Sequence, residues 1–160
     1  MNHLFAPWRI RYIMSENEPD GCAFCRICSQ NDDVTNLVVH RGKSCFVVLN
    51  RYPYNSGHLM VVPYRHISDY SALDINEVDE MHDLSSTALN VMKKNMSPHG
   101  FNLGMNLGEA AGAGIADHLH LHVVPRWNGD TNFMPVLDDI RVLPQALIET
   151  CQVLRSAWPR

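Results

Sequence analysis

The 160-residue sequence predicts an α+β domain built on an antiparallel sheet. Three observations carry that prediction. Short β-rich runs at 37–40, 44–49, 58–63 and 101–107 are separated by turn signals. One long stretch of helical spacing, 74–96, lies between the third run and the fourth. The segment 118–124 then alternates histidine with aliphatic residues, which is the pattern of a strand with two different faces.

Composition fits this reading. An apolar fraction of 46% and a charged fraction of 19% belong to a globular chain with enough length for one core. A net charge of −4 implies no broad attraction to nucleic acid or to a membrane surface, so any anionic ligand must be held locally. No apolar run approaches the roughly 18 residues of a membrane span. Residues 1–14 lack the charged-then-apolar order of a signal peptide. Five cysteines, three of them in Cys22-x-x-Cys25-x-x-Cys28, argue against a disulfide framework and for a reducing, cytoplasmic compartment.

Residues 1–21 read as an extended arm whose Trp8 and Tyr12 pack on the domain or on a partner subunit, ended by the turn Pro19-Asp20-Gly21. The Cys22-x-x-Cys25 pair that follows suits half a zinc site, a redox pair or two buried thiols, and zinc is favoured. The runs 37–40 and 44–49 around Arg41-Gly42-Lys43 form a hairpin. A loop at 49–57 interleaves polar and aromatic side chains, and 58–63 is the next strand, closed by Pro63.

Asp74-Ile75-Asn76-Glu77 is a capping box that opens the helix 74–96. Val78, Met81, Leu84 or Ser85, Ala88 and Val91 or Met92 supply its apolar stripe, and Pro98-His99-Gly100 ends it. A strand at 101–107 leads to the small-residue loop 108–114, where backbone N–H groups can approach a phosphate closely. Beyond the turn Asn128-Gly129-Asp130, residues 143–158 form a C-terminal helix with Leu143, Ala146, Leu147, Thr150 and Leu154 on one face.

The chemistry concentrates in the histidine strand. His118, His120 and His122 share one face, and Leu119, Leu121 and Val123 share the other. A helix would turn successive histidines by about 200° and bring only His118 and His122 together. His118 and His122 stand about 13 Å apart along a strand, so three imidazoles cannot hold one ion, although an adjacent pair can. The other use is catalytic, because imidazole titrates near neutral pH and attacks electrophiles or transfers protons. A histidine-rich edge strand is the bland alternative. Strict alternation by three of only nine histidines argues against it.

His-x-His-x-His followed by two apolar residues resembles the signature of the histidine triad (HIT) superfamily of nucleotide hydrolases and transferases. The likeness runs from about residue 22 to 125. Leu49-Asn50-Arg51-Tyr52-Pro53-x-x-x-Gly57-His58 resembles the family's ribose-side loop. Arg65-His66-Ile67-Ser68 resembles its Arg-His-Ile-Ser segment, and Asn106-x-Gly108 its phosphate-side Asn-x-Gly. The resemblance implies a HIT-like fold with a five-stranded antiparallel sheet, one long helix and a C-terminal helix, usually as a homodimer. It divides the chain into an arm (1–21), the HIT domain (22–137) and a helical extension (138–160).

It also implies roles. His120 attacks the α-phosphorus of a nucleotide and forms a nucleotidyl–histidine intermediate, with no catalytic metal. His58 or a backbone carbonyl orients the catalytic imidazole, and His122 contacts the phosphate. Asn50 meets the ribose hydroxyls, and Asn106, Gly108, Gly112 and Gly114 lie along the phosphates. A structural zinc takes Cys22, Cys25, His66 and His118. Two places depart from the hydrolase and phosphoramidase branches: Gly114 and Ile115 stand where those carry Gln and then Ser or Thr, in a loop one residue longer. Residues 125–133 look like the diadenosine tetraphosphate phosphorylase branch. Three uses follow: cleavage of dinucleoside polyphosphates with phosphate or water as acceptor, a Hint-like phosphoramidase, and a non-catalytic nucleotide-binding module. Tyr52, Tyr54 and Trp127 are candidate walls for a second nucleoside.

Overall fold

The structure, a computed structural model, describes residues 21–130 and 145–159. Trp8, Tyr12, Leu143 and the segment 131–133 lie outside the described residues. The elements run α1 (Ala23–Ser29), β1 (Val38–Arg41), β2 (Cys45–Leu49), β3 (Leu59–Pro63), α2 (Ile75–Met96), β4 (Gly100–Gly104), β5 (Leu121–Arg126) and α3 (Leu147–Ala157). The strands form one sheet in the order β1-β2-β3-β5-β4, and every neighbouring pair is antiparallel. This is the α+β fold and five-stranded antiparallel sheet that the sequence predicts. Among the described residues no helix is long and apolar enough to cross a membrane.

Period-2 alternation divides the core between the two faces of the sheet. Val47, Leu49, Leu59, Val61 and Val123 point to one face, where α2 and α3 cover them. Phe46, Val48, Met60 and Val62 point to the other, where Phe24 of α1 packs on them. Strands β2 and β3 are therefore buried at every position. Helix α1 has no counterpart in the sequence reading. Seven residues give too little periodicity to recognise, and docking rather than propensity holds so short a helix.

Helix α2 begins as expected. The Asp74 side chain accepts from the Glu77 N–H, and the Glu77 carboxylate accepts from the Asp74 N–H. It stops at Ser97, which adopts the left-handed conformation ahead of Pro98. Met81, Leu84, Ser85, Ala88, Val91 and Met92 are buried, but Val78 is 41% exposed. The first turn lifts away from the sheet, and the buried position there belongs to Glu77. In α3 the buried residues are Thr150, Cys151 and Leu154, while Ala146 caps the helix and stays exposed. Cys151 thus takes the core place expected of Ala146. Strand β4 ends at Gly104 rather than at 107, because the chain must leave the sheet to build the loop before β5.

One clasp ties the β1–β2 hairpin to α2. The Glu80 carboxylate accepts from the backbone N–H groups of Lys43 (2.7 Å), Ser44 and Cys45 (2.7 Å). A Cβ at Gly42 would come within 2.6 Å of Glu80 Oε1, so the turn needs glycine there. Burial pushes the Glu80 carboxyl up, but the three N–H groups and the Lys43 charge outweigh it, and the group titrates below its ordinary 4.5. A carboxylate depressed in the fold stabilises it above the unfolded pKa and loses that contribution as pH falls through the folded value. Glu80→Ala should cost about 1–3 kcal/mol by urea unfolding at pH 7. The difference between wild type and Glu80→Gln should shrink as the pH drops below about 4.5.

Candidate active site and metal cluster

Strand pairing brings the histidines together. Met60 of β3 pairs with His122 of β5, so His122, His58 and Met60 occupy the face covered by α1. His118 and His120 precede β5, and Leu119 N–H bonds to the Ile67 carbonyl at 2.7 Å. The regular strand is shorter than the alternation suggests, but the shared face persists. The Phe24 ring lies 5.4 Å from His118 and 5.1 Å from His120, and His120 lies 4.8 Å from His122 between ring centroids.

Hydrogen bonds set opposite tautomers on the two imidazoles. The His118 carbonyl can only accept, so His120 Nδ1 carries the proton across their 2.8 Å contact. The lone pair of neutral His120 then sits on Nε2. Burial lowers the His120 pKa against the opposing effect of the His118 carbonyl, which keeps the ring neutral. On the other side, the Tyr54 backbone N–H donates to His58 Nδ1 at 3.0 Å. Neutral His58 therefore donates from Nε2 to His122 Nδ1 at 2.8 Å. The remaining ring proton of neutral His122 is on Nε2. One imidazole is built as a nucleophile and its neighbour as a donor.

Of the two groups expected to fix the His120 ring, His58 bonds instead to His122, and a backbone carbonyl, that of His118, holds His120. Side-chain spacing alone does not decide between them. His120 and His122 line an open pocket with about 640 Å³ of free space, shared with Asn50, Asn106, Gly112 and Gly114. The Asn50 Oδ1 accepts from Tyr52 N–H at 2.9 Å, and Asn106 Nδ2 reaches the Gly112 carbonyl at 3.4 Å. Gly108 lies outside this wall and caps the short turn Glu109–Ala111. Tyr52 and Tyr54 line the pocket. Trp127 does not, since its indole N–H donates to the Met96 carbonyl and its ring lines a separate cavity. Phe24, Met60 and Ile115 complete the pocket, and the sequence reading missed Phe24 and Met60 because they are ordinary core residues by type.

The second loop is pinned to the same strands. Gly57, at φ 77°, turns the chain where a Cβ would come within 2.8 Å of Met96. Asn55 Nδ2 bonds to the Pro125 carbonyl and to Asp130 Oδ2, which holds the loop against the end of β5.

Cys22, Cys25, His66 and His118 converge, with their four donor atoms all within 4.8 Å of one another. Cys22 Sγ is 3.3 Å from His118 Nδ1, and Cys25 Sγ is 3.3 Å from His66 Nδ1. Tetrahedral zinc with ordinary bond lengths needs ligand edges of about 3.3–3.8 Å, so the set fits with little movement. The His118 Nε2–H donates to the Pro63 carbonyl at 2.8 Å, which leaves the Nδ1 lone pair facing the thiols. Burial lowers the His118 pKa and favours that neutral form. All five cysteines are free thiols. Beside His66, Arg65 bonds to Glu77 in the first turn of α2 and to the Ala72 carbonyl just ahead of that helix. Cys22→Ala should lower zinc content and thermal stability together, read by elemental analysis and calorimetry. Unchanged stability in metal-free wild type would remove the cluster as a structural cross-link.

Known proteins place this geometry. The HIT domain family matches residues 31–129. The chain is 43% identical over its whole length to the AP-4-A phosphorylase of Mycobacterium tuberculosis, covering 86% of that protein. A Zn-bound histidine triad family protein from Mycobacterium smegmatis superposes with a TM-score of 0.69 at 27% identity, over 86% of this chain and 93% of that one. The diadenosine triphosphate hydrolase of Plasmodium falciparum shares the fold, with a TM-score of 0.61 at 24% identity over 76% and 75% of the two chains. Strand order, histidine placement and these matches agree, and the chain belongs to the histidine triad family.

Proposed function

We propose that the protein cleaves dinucleoside polyphosphates of the diadenosine tetraphosphate kind at the α-phosphate, passing the nucleotidyl group to inorganic phosphate. The observation that carries this reading is the pair of opposed tautomers, His120 and His122, in one pocket with Asn50 and Asn106. The 43% identity to an AP-4-A phosphorylase supports the substrate class.

The residues divide the work. The His120 Nε2 lone pair attacks the α-phosphorus, a P–N bond forms, and the P–O bond to the departing polyphosphate breaks. His122 donates from Nε2 to the phosphate oxygens as charge gathers there, with His58 behind it holding the ring. The acceptor then displaces His120 from phosphorus. Asn50 would meet the ribose, and Asn106, Gly112 and Gly114 the phosphates, which their shared place in the pocket wall supports. Gly114 lines the pocket without a side chain, which supports phosphate as acceptor. Cys22, Cys25, His66 and His118 would hold zinc, which supplies a structural cross-link when bound. We assign the catalytic unit to residues 22–137, with 1–21 as an arm and 138–160 as an extension, in a cytoplasmic homodimer. The free thiols support the compartment. The edge position of β4, with Leu103 47% exposed, supports pairing through that strand.

Incubation with diadenosine tetraphosphate, with and without inorganic phosphate, tests the acceptor. ADP plus ATP formed only with phosphate is expected. AMP plus ATP in both samples would make water the acceptor, and no product in either would overturn the reading in favour of a phosphoramidase or a binding module. Separately, His120→Ala should abolish the nucleotidyl–protein adduct by acid quench and mass spectrometry while nucleotide affinity persists. Equal turnover in the variant would remove His120 as nucleophile.

A further inference from the structure

The metal cluster and the nucleophile share two physical links. Cys22 and Cys25 bracket Phe24 in and just before the first turn of α1. Phe24 is 2% exposed, and its ring meets both His118 (72° between planes) and His120 (51°). The second link is the backbone, where the carbonyl of the cluster residue His118 holds the Nδ1–H of His120 at 2.8 Å. A seven-residue helix has little stability of its own. Its position depends on what Phe24 packs against and on what the two flanking thiols hold. Ordering of the thiols therefore fixes one wall of the His120 ring, and ordering of His118 fixes the group that aims it.

We propose that Phe24 is a positioning residue that makes the order of the Cys22–Cys25–His66–His118 cluster a condition for the attack geometry of His120. Metal occupancy then controls catalytic competence through the Phe24 ring, without the metal touching the substrate. The proposal rests on the reading of His120 as the nucleophile, but the packing it describes is measurable without turnover.

Histidine ring signals in isotope-labelled protein give that measurement. Protons of the His120 ring sit beside the Phe24 ring and carry its ring-current shift. Removing zinc with a chelator should move the His120 signals by several linewidths, together with those of His66 and His118. In Phe24→Leu, with zinc content unchanged, the displacement of His120 on chelation should fall to less than half. The same variant should form the nucleotidyl adduct about 10- to 100-fold more slowly, as expected for a misplaced reacting group, a loss well beyond any that its place in the pocket wall brings to AMP affinity. Phe24→Met serves as a second variant should leucine loosen α1. Chelation that moves only His66 and His118 overturns the proposal. So does an adduct rate that falls in proportion to AMP affinity, since Phe24 would then be only a wall of the pocket. If zinc-loaded wild type forms no adduct, the nucleophile assignment fails, and the chelation shifts still decide the coupling.

Discussion

The antiparallel register of β3 against β5 is the constraint from which the rest follows. Leu59 opposes Val123 and Met60 opposes His122. With α2 and α3 covering the side of Leu59 and Val123, the histidines have one face left to occupy. A one-residue slip would bury imidazoles under α2 and turn Val123 toward the pocket. Register also sets the distance between His58 and His122, because each lies beside the Met60 position on the same face. The donor relay from Tyr54 N–H through His58 to His122 is therefore a product of strand pairing.

His118 belongs to two systems at once. Its imidazole turns toward the thiols of Cys22 and Cys25, and its carbonyl turns toward His120. Its Nε2–H is spent on the Pro63 carbonyl, at the end of the strand that carries Met60. A single residue thus joins α1, β3 and the lead-in to β5. The Ile67 carbonyl holds the neighbouring Leu119, so the His66 segment joins them. The site is a junction of three stretches of chain distant in sequence (22–25, 58–67 and 118–122), and the short sheet beneath it supplies the rigidity.

Some expectations failed for identifiable reasons. Helical spacing placed Val78 in the core, but Glu77 fills the buried place in that turn, where it serves the helix cap and Arg65. Trp127 read as a pocket wall because it is aromatic and close in sequence to the histidines. Its indole N–H instead found the free carbonyl of Met96 at the end of α2, where a helix leaves acceptors open. His58, one of two groups expected behind His120, stands behind His122 and leaves His120 to a backbone carbonyl, because neighbours on paired strands are set by register and not by order along the chain.

By itself the sequence determined what local rules can express. Alternation showed the faces of the histidine strand, and the Asp74–Glu77 box marked the start of α2. These follow from periodicity and capping, each of which acts over a few residues, whereas the grouping of Cys22, Cys25, His66 and His118 came only from the family resemblance. Only the tertiary structure decided which nitrogen of each imidazole carries the proton. Those choices depend on the His118 carbonyl, the Tyr54 N–H and the Pro63 carbonyl, and backbone groups look alike in every sequence. It also decided that Phe24, an unremarkable apolar residue by type, stands between the thiols and the nucleophile. Contacts across strands and between a short helix and a sheet arise from packing in three dimensions, and no pattern along the chain encodes them.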